Sequence, residues 1–122
     1  DERRRIADLA TVRRIAEPAG VDLANADADV ARDVLLQALF AAKSELLLLP
    51  IQDVFGWRDR INEPATIDDR NWSFRLPWPV DRMDGIPEAR DRQRALRDWA
   101  EQYGRVKAEL APPLLSGSAS AP

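Results

Sequence analysis

The chain has 122 residues, enough for one domain, with 45% hydrophobic residues, 32% charged residues and a net charge of −3. This charge gives no support to a nucleic-acid binder, which requires a concentrated basic field. The lack of cysteine and histidine excludes disulfides, thiolate metal sites, imidazole bases and serine–histidine–aspartate triads. Any acid–base chemistry must therefore come from carboxylates, and we expect no metal or other cofactor.

The sequence contains no targeting or membrane signal. No apolar run approaches the roughly 20 residues that span a bilayer, and no signal-peptide pattern opens the chain. We therefore expect a cytoplasmic protein with neither a membrane nor a nucleic-acid partner. The first residue is Asp1 rather than methionine, which indicates a segment of a longer protein.

Two helices are predicted in the first third of the chain. Residues 3–17 carry apolar side chains every three or four positions, and Pro18 follows them. A second helix is expected to begin near Asp27 or Asp29, whose carboxylates suit the amino end of a helix dipole. Its apolar stripe continues to about Lys43.

The next segment, residues 46–51, reads Leu-Leu-Leu-Leu-Pro-Ile and fits either a strand or a helix. A strand apolar on both sides is typical of parallel sheets, yet the chain supplies no obvious partner strand. Leucine nevertheless favours helix, and the run could extend the second helix. If it is a strand, Gln52 and Asp53 project from its carboxyl end, where barrel and open-sheet enzymes place their sites.

The second half of the chain is predicted to be a long loop followed by one helix. Residues 57–83 are punctuated by prolines, and loops of this length are often functional. A short extended piece is expected at residues 72–76, where large apolar residues alternate with polar ones. Pro87 suits the first turn of a final helix over residues 88–110, and we expect residues 114–122 to be a disordered tail.

The loop carries carboxylates, an asparagine and aromatic residues that could bind or process a sugar. Paired carboxylates can perform glycosidic chemistry, but spacing within a loop does not establish a pair. Asp53 is the best candidate for a site role because of its place after the predicted strand. Asn62 is either a turn former or a sugar ligand that offers both a donor and an acceptor.

Aromatic and basic residues of the loop also admit two interpretations. Trp57, Trp72 and Trp78 could stack on pyranose rings or fill the rim of a core. The neighbouring arginines are expected to anchor the loop through carboxylates and carbonyls rather than to bind phosphate. No glycine-rich phosphate loop is present.

Three blocks of the sequence together resemble the carboxy-terminal signature of the 4-alpha-glucanotransferases, the amylomaltases or disproportionating enzymes of glycoside hydrolase family 77. Residues 49–56 match a turn of proline, a hydrophobic residue, glutamine and aspartate that closes the last barrel strand. Residues 60–66 match a loop with arginine, asparagine and proline, and residues 71–75 match an N-W-x-x-R segment. One departure is Ala65, where the family usually has glycine, so we expect a different turn there.

The resemblance implies an α/β fold in which residues 1–113 are the carboxy-terminal fragment of a (β/α)8 TIM barrel, mostly helical as an isolated chain. Residues 46–51 would be the eighth strand and residues 88–110 the closing helix. The family transfers α-1,4-glucan segments through a covalent intermediate, with its catalytic carboxylates on earlier strands. No catalytic residue is therefore expected here, and the chain alone is expected to be inactive.

The implied partners are an α-1,4-glucan or maltooligosaccharide and the remainder of the barrel. Asn62 corresponds to an acceptor-side sugar contact, while Gln52 and Asp53 either touch the substrate or support the loop. Two alternatives follow from the residues themselves. One is a stand-alone helical protein-interaction module in which the leucine run extends the second helix, and the other is a carbohydrate-binding module that uses Trp57 and Trp72.

Overall fold

The computed structural model describes residues 2–106, and all regular structure within that range is helical. The helices are α1 (Glu2–Ala7), α2 (Ala10–Ala16), α3 (Ala28–Phe40), α4 (Ile51–Phe55) and α5 (Pro87–Gln102), with a 3-10 helix at Val80–Gly85. This confirms the expectation of a mostly helical isolated chain. No helix in the described part is long and apolar enough to cross a bilayer. The tail predicted at residues 114–122 lies outside the described residues.

The prediction of one continuous helix over residues 3–17 is wrong, because the chain breaks between α1 and α2. Leu9 has φ −64° and ψ 129°, an extended conformation, and its side chain is exposed. The preceding Asp8 favours such breaks, since its carboxylate competes with the backbone for hydrogen bonds. The break lets Val12 and Ala16 become buried against α3 while Ile6 packs on the same cluster.

Helix α3 begins where the sequence predicts and ends three residues before the predicted Lys43. Its last carbonyl groups accept hydrogen bonds from the guanidinium of Arg105. Arg105 Nε lies 2.6 Å from the carbonyl oxygen of Phe40, and Nη2 lies 2.8 Å from that of Ala42. A side chain far away in sequence therefore satisfies the end of α3.

The leucine run adopts neither of the two conformations weighed from the sequence. Residues 46–50 form neither a strand nor a helix, so the prediction of a helix that continues α3 is wrong as well. A strand requires hydrogen bonds from a neighbouring strand, and no backbone hydrogen bond to residues 46–49 is present in the described part. The predicted strand over residues 46–51 is therefore not realised by this chain alone, and Ile51 already belongs to α4.

The side chains of the run nevertheless alternate as they would in a strand. Leu47 and Leu49 pack inward against the cluster formed by Leu36, Phe40 and Trp99. Leu46 and Leu48 point outward and are 72% and 79% exposed. Residues 46–49 thus have one covered face and one open face.

Helix α5 starts at Pro87 as predicted but ends at Gln102, well before the predicted residue 110. Gly104 has φ 69°, a conformation that costs glycine little. The Gly104 amide donates to the carbonyl of Glu101 and the Arg105 amide donates to that of Ala100, which is the Schellman pattern of a helix end. Val106 of the predicted stripe is 43% exposed, and Leu110 lies outside the described residues.

Helices α3 and α5 are joined by apolar contacts and by one carboxylate. Phe40 and Trp99 meet with ring centroids 6.0 Å apart. Asp33 lies between two arginines, with Arg32 Nε and Arg92 Nη2 at 2.9 Å and 3.0 Å from its Oδ1 atom. Helix α4 packs against α5 in a separate apolar cluster.

Candidate functional site

The predicted site residues Gln52 and Asp53 lie in the first turn of the short helix α4 rather than at the end of a strand. Pro50, with φ −59° and ψ 140°, is the non-helical residue that precedes α4, and Gly56 ends it with φ 73°. Gln52 is 6% exposed, and its Nε2 atom has no hydrogen-bond partner among the described residues. Asp53 is exposed to solvent.

Gly56 is needed at its position for two reasons. Its positive φ favours glycine, and a Cβ atom there would lie 2.7 Å from Arg32 Nη1. The same Nη1 donates to the carbonyl of Phe55 at 3.2 Å and contacts the Asp29 carboxylate at 2.8 Å. Arg32, which belongs to α3, thereby links the end of α4 to that helix.

Beside α4 lies a mainly apolar cavity of about 490 Å³. Gln52 and Asp53 contribute to its wall together with residues of α1 and α3. The cavity brings the two predicted residues of α4 together, whereas Asn62 lies outside it. The structure therefore does not assemble all three predicted residues into one site.

The loop that contains Asn62 is closed by a different asparagine, Asn71. The Oδ1 atom of Asn71 accepts a hydrogen bond from the Glu63 amide at 2.7 Å. Its Nδ2 atom donates to the carbonyl and the hydroxyl of Thr66, both at 3.1 Å. The Trp72 amide adds a 2.6 Å bond to the carbonyl of Ile61. Residues 61–72, which we call the asparagine loop, are thus held by the hydrogen bonds of one side-chain amide rather than by regular structure.

Asn62 is exposed and makes no hydrogen bond within residues 2–106. The carbonyl of Ile61 before it and the amide of Glu63 after it are both occupied by residues across the loop. The backbone is therefore fixed on both sides of Asn62, while its side-chain amide is presented to solvent. The turn-forming role considered for Asn62 belongs to Asn71, which the sequence shows only as a member of the N-W-x-x-R block.

Two residues of the asparagine loop have positive φ without being glycine. Ala65 has φ 63° and Trp72 has φ 64°. Ala65 thus adopts the conformation that alanine disfavours, and bulky residues such as tryptophan rarely adopt it. Trp72 is also 76% exposed, so the loop displays a large aromatic side chain on a constrained backbone.

The other aromatic residues of the loop form a cluster against α4. The rings of Phe55 and Trp57 stack with centroids 4.5 Å apart. Trp78 packs edge-on against Trp57 at 5.7 Å, and Phe74 lies 6.1 Å from Trp57. For Trp57 and Trp78 the core-filling interpretation is therefore the one the structure favours, and Trp72 is the most exposed of the three.

The arginines of the loop differ from their predicted role. Arg70 pairs with Asp68, with Nη2 2.7 Å from Oδ2, and this pair holds the pKa of Asp68 below its usual range. Arg58, Arg60 and Arg75 make no hydrogen bond or ion pair within residues 2–106. Only one of the four arginines therefore anchors the loop as expected.

The sequence profile of the 4-alpha-glucanotransferases, glycoside hydrolase family 77, matches residues 2–81, about two thirds of the chain. The chain belongs to this family. The matched range contains α1 to α4 and the whole asparagine loop, and it includes all three predicted site residues. It ends within the 3-10 helix that precedes α5.

A curated relative agrees with the family assignment. The 4-alpha-glucanotransferase DPE1, chloroplastic/amyloplastic, of Arabidopsis thaliana is 34% identical over 74 residues. The alignment covers 59% of this chain and 12% of that protein. The chain therefore spans only about an eighth of the length of this glucanotransferase. No solved structure matches the chain.

The glucanotransferase segment holds no metal-binding arrangement in its described part. No group of three or more acidic side chains among residues 2–106 is placed to hold a metal ion. The chemical groups that it does present include amides, exposed carboxylates, guanidinium groups and aromatic rings. These are groups that bind sugars through hydrogen bonds and stacking.

Proposed function

We propose that this chain is the carboxy-terminal part of the (β/α)8 barrel of a 4-alpha-glucanotransferase that transfers α-1,4-glucan segments between maltooligosaccharides with retention. The observation that carries the proposal is the leucine run at residues 46–49, whose backbone has no hydrogen-bond partner within residues 2–106 and whose side chains alternate between half-buried and exposed. An inner barrel strand obtains these bonds from a strand on each side. The missing strands would belong to the remainder of the protein.

The open face of the same segment supports this proposal. Leu46 and Leu48 expose most of their surface while Leu47 and Leu49 are half-buried. Covering the two outward leucines would contribute about 2 kcal/mol each. In a parallel barrel both faces of a strand are covered, so the barrel would bury the face that is open here.

The buried amide of Gln52 is a second sign of missing neighbours. An unpaired buried donor costs about 1 to 3 kcal/mol, and Gln52 Nε2 has no partner in the described part of the chain. Gln52 lies three residues after Leu49, so in a barrel it would lie at the edge where the strand ends converge. A carbonyl or carboxylate from an adjacent βα unit would satisfy it.

We assign the catalytic carboxylates to the part of the protein outside this chain. Retaining transfer requires a nucleophile and an acid–base carboxyl group about 5 Å apart, one of which has a raised pKa. Asp53 and the loop acids Asp59, Glu63 and Asp69 are exposed, and Asp68 is engaged by Arg70. The 122-residue chain should therefore not disproportionate maltotriose, and measurable transfer by it would contradict this assignment.

Asn62 is the residue of this chain that we propose to contact the glucan acceptor. Its side chain is exposed, unengaged by the described residues and held on a fixed backbone, so its donor and acceptor can bind a vicinal pair of hydroxyl groups. In the full enzyme, Asn62→Ala should raise the KM for the acceptor about two- to tenfold, the effect of losing one neutral hydrogen bond or two.

The control for Asn62→Ala is Gln93→Ala, which removes an exposed amide from α5. It should leave the acceptor KM unchanged, since α5 lies outside residues 2–81, the range that matches the family and contains the asparagine loop. Equal kinetics of the Asn62 variant and the unmodified enzyme over a range of acceptor concentrations would refute the contact.

Trp72 supports a second candidate function, a glucan-binding platform next to the acceptor position. It combines 76% exposure with φ 64°, and strained exposed residues often serve binding. Its ring could stack on a pyranose face. Maltotriose should change the tryptophan emission of the chain, and Trp72→Ala should abolish that change. A flat titration of the unmodified chain would exclude the platform.

A further inference from the structure

A second cavity, of about 570 Å³, lies within the loop that follows α4, and neither the predicted site residues nor the proposed acceptor contact uses it. Its volume lies in the range of small-molecule sites, about 300 to 1,000 Å³. We call it the arginine cleft. Its walls are formed by Trp57, Asp59, Arg60, Arg70, Ser73, Phe74, Arg75 and Pro77.

The charge of the arginine cleft is unbalanced. Three guanidinium groups and one carboxylate line it, and the partner of Arg70, Asp68, is not part of the lining. Arg60 and Arg75 have no ion pair or hydrogen bond among residues 2–106. Two guanidinium groups without partners in this range suit an anion, and their planar forks match phosphate oxygens in particular.

The cleft also has an aromatic wall. Trp57 is held in place because Phe55 stacks on it at 4.5 Å and an interplanar angle of 13°. Phe74 lies beside it, with ring centroids 6.1 Å apart. A rigid aromatic surface next to a cationic site suits a ligand that has an apolar ring face and a charged group. Inorganic phosphate alone would leave this wall unused.

Asp59 completes the set of groups that a sugar requires. Its carboxylate is an acceptor only, so it repels a phosphate placed directly against it but binds hydroxyl groups well. A ligand with a phosphate toward Arg60 and Arg75 and hydroxyl groups toward Asp59 would use both kinds of charge. A hexose carrying a phosphate monoester has this distribution of groups.

We propose that the arginine cleft binds the phosphate monoester of a hexose, either as a free sugar phosphate or as a phosphorylated unit of a glucan. The site is separate from the acceptor contact at Asn62 and requires no chemistry of its own. It rests on the proposed function only in the choice of glucose as the sugar. A cleft of this kind would make the glucanotransferase responsive to phosphorylated sugars.

The test is a titration of the ¹⁵N-labelled 122-residue chain with glucose 6-phosphate, followed through the Trp57 indole and the arginine Nε–H resonances. The double variant Arg60→Gln, Arg75→Gln should weaken binding about tenfold or more, because two charge-assisted contacts are lost. The control is Arg58→Gln, which removes an equally exposed and unpaired guanidinium that does not line the cleft. It should change the affinity less than about twofold, the size of a screened long-range effect.

Equal weakening by the double variant and the control would overturn the proposal, since it would reduce binding to general attraction by positive charge. Inorganic phosphate that binds as tightly as glucose 6-phosphate would overturn the sugar part of the site. Glucose that competes as well as glucose 6-phosphate would overturn the phosphate part. Failure of these titrations leaves the barrel proposal intact, because no strand or acceptor contact enters them.

The two sources of the ligand are distinguished by a phosphorylated maltotriose. If it binds more tightly than glucose 6-phosphate, the supported ligand is a phosphorylated glucan. If glucose 6-phosphate binds more tightly, the supported ligand is a free sugar phosphate. If neither binds, the proposal is wrong.

Discussion

Asn71 and Asn62 illustrate how two residues of one type serve opposite purposes within ten positions. The side-chain amide of Asn71 forms hydrogen bonds with Glu63 and Thr66 and thereby closes the loop. Asn62 makes none of these contacts and stands exposed on the backbone that Asn71 fixes. The asparagine loop therefore separates its structural amide from the one available for a ligand.

This separation predicts different consequences for the two alanine variants. Asn71→Ala should lower the free energy of unfolding on the order of 1 kcal/mol, because three hydrogen bonds of an exposed loop are lost. Asn62→Ala should leave stability within about 0.5 kcal/mol. Urea unfolding of the two variants measures both values. Equal destabilisation would show that Asn62 also holds the loop.

The pair of Asp68 and Arg70 predicts a pH dependence of the loop. Arg70 and its own amide hold the pKa of Asp68 below its usual range. A lowered pKa in the folded chain means that the stabilisation is present above the ordinary pKa of aspartate and is lost as pH falls through the lowered one. Neutral pH therefore keeps the pair, and strong acid removes it.

The measurement is a carboxyl-carbon NMR titration of Asp68 in the unmodified chain and in Arg70→Gln. The variant removes the largest cause of the shift but keeps the amide of residue 70 as a donor. The pKa of Asp68 should therefore rise toward its ordinary value without reaching it. An unchanged pKa would mean that the guanidinium has no effect on Asp68.

At the scale of elements, the starts of α3 and α5 could be predicted from the sequence and their ends could not. The starts of α3 and α5 follow local signals, an aspartate and a proline at the first turn. The end of α3 depends on Arg105, which is more than sixty residues away. The end of α5 does have a local signal in the sequence, because Gly104 directly follows Tyr103. The apolar stripe that continues to residue 110 nevertheless led to a longer predicted helix.

Arg105 offers a direct test of this account of the end of α3. Arg105→Gln should lower the free energy of unfolding by about 1 to 3 kcal/mol, because several carbonyl groups lose a charged donor. Arg97→Gln is the matched control, since its ion pair with Glu101 is exposed and worth roughly 0.3 to 0.5 kcal/mol. Thermal unfolding of both variants measures the difference, and equal losses would contradict the capping role.

The leucine run at residues 46–49 shows the limit of local sequence signals. Its composition favours helix and its two-sided apolar character favours a strand, so only the family motifs distinguished the two. The observed alternation of Leu47 and Leu49 inward with Leu46 and Leu48 outward agrees with the strand pattern. What is absent from residues 2–106 is the partner strand, and a pairing between distant segments is not encoded within the segment itself.

At the scale of the whole molecule, three features of the chain are connected by one explanation. Among residues 2–106, a backbone without hydrogen-bond partners, an outward leucine face and a buried unpaired amide all occur within residues 46–52. Each is costly alone, and each is removed if the segment is a strand inside a barrel. The family profile matches residues 2–81, which include this segment. The alignment covers only 12% of the Arabidopsis relative, which is much longer than this chain.

The site was predictable to the extent that the motifs were. Gln52, Asp53 and Asn62 were found by their place in the signature, but their relative arrangement was not, because α4 replaces the expected strand end. The arginine cleft gave no sequence signal, since unpaired arginines in a loop cannot be told from paired ones. Its three guanidinium groups line the same cleft because of the path that the loop takes.

Amide hydrogen exchange at residues 46–49 tests the barrel proposal most directly, measured in the 122-residue chain and in the longer protein to which we propose it belongs. We expect fast exchange in the chain alone, where these amides have no partner among residues 2–106, and protection of at least about a thousandfold in the longer protein, as for a core strand. Equally fast exchange in both proteins would contradict the assignment of this segment to a barrel strand.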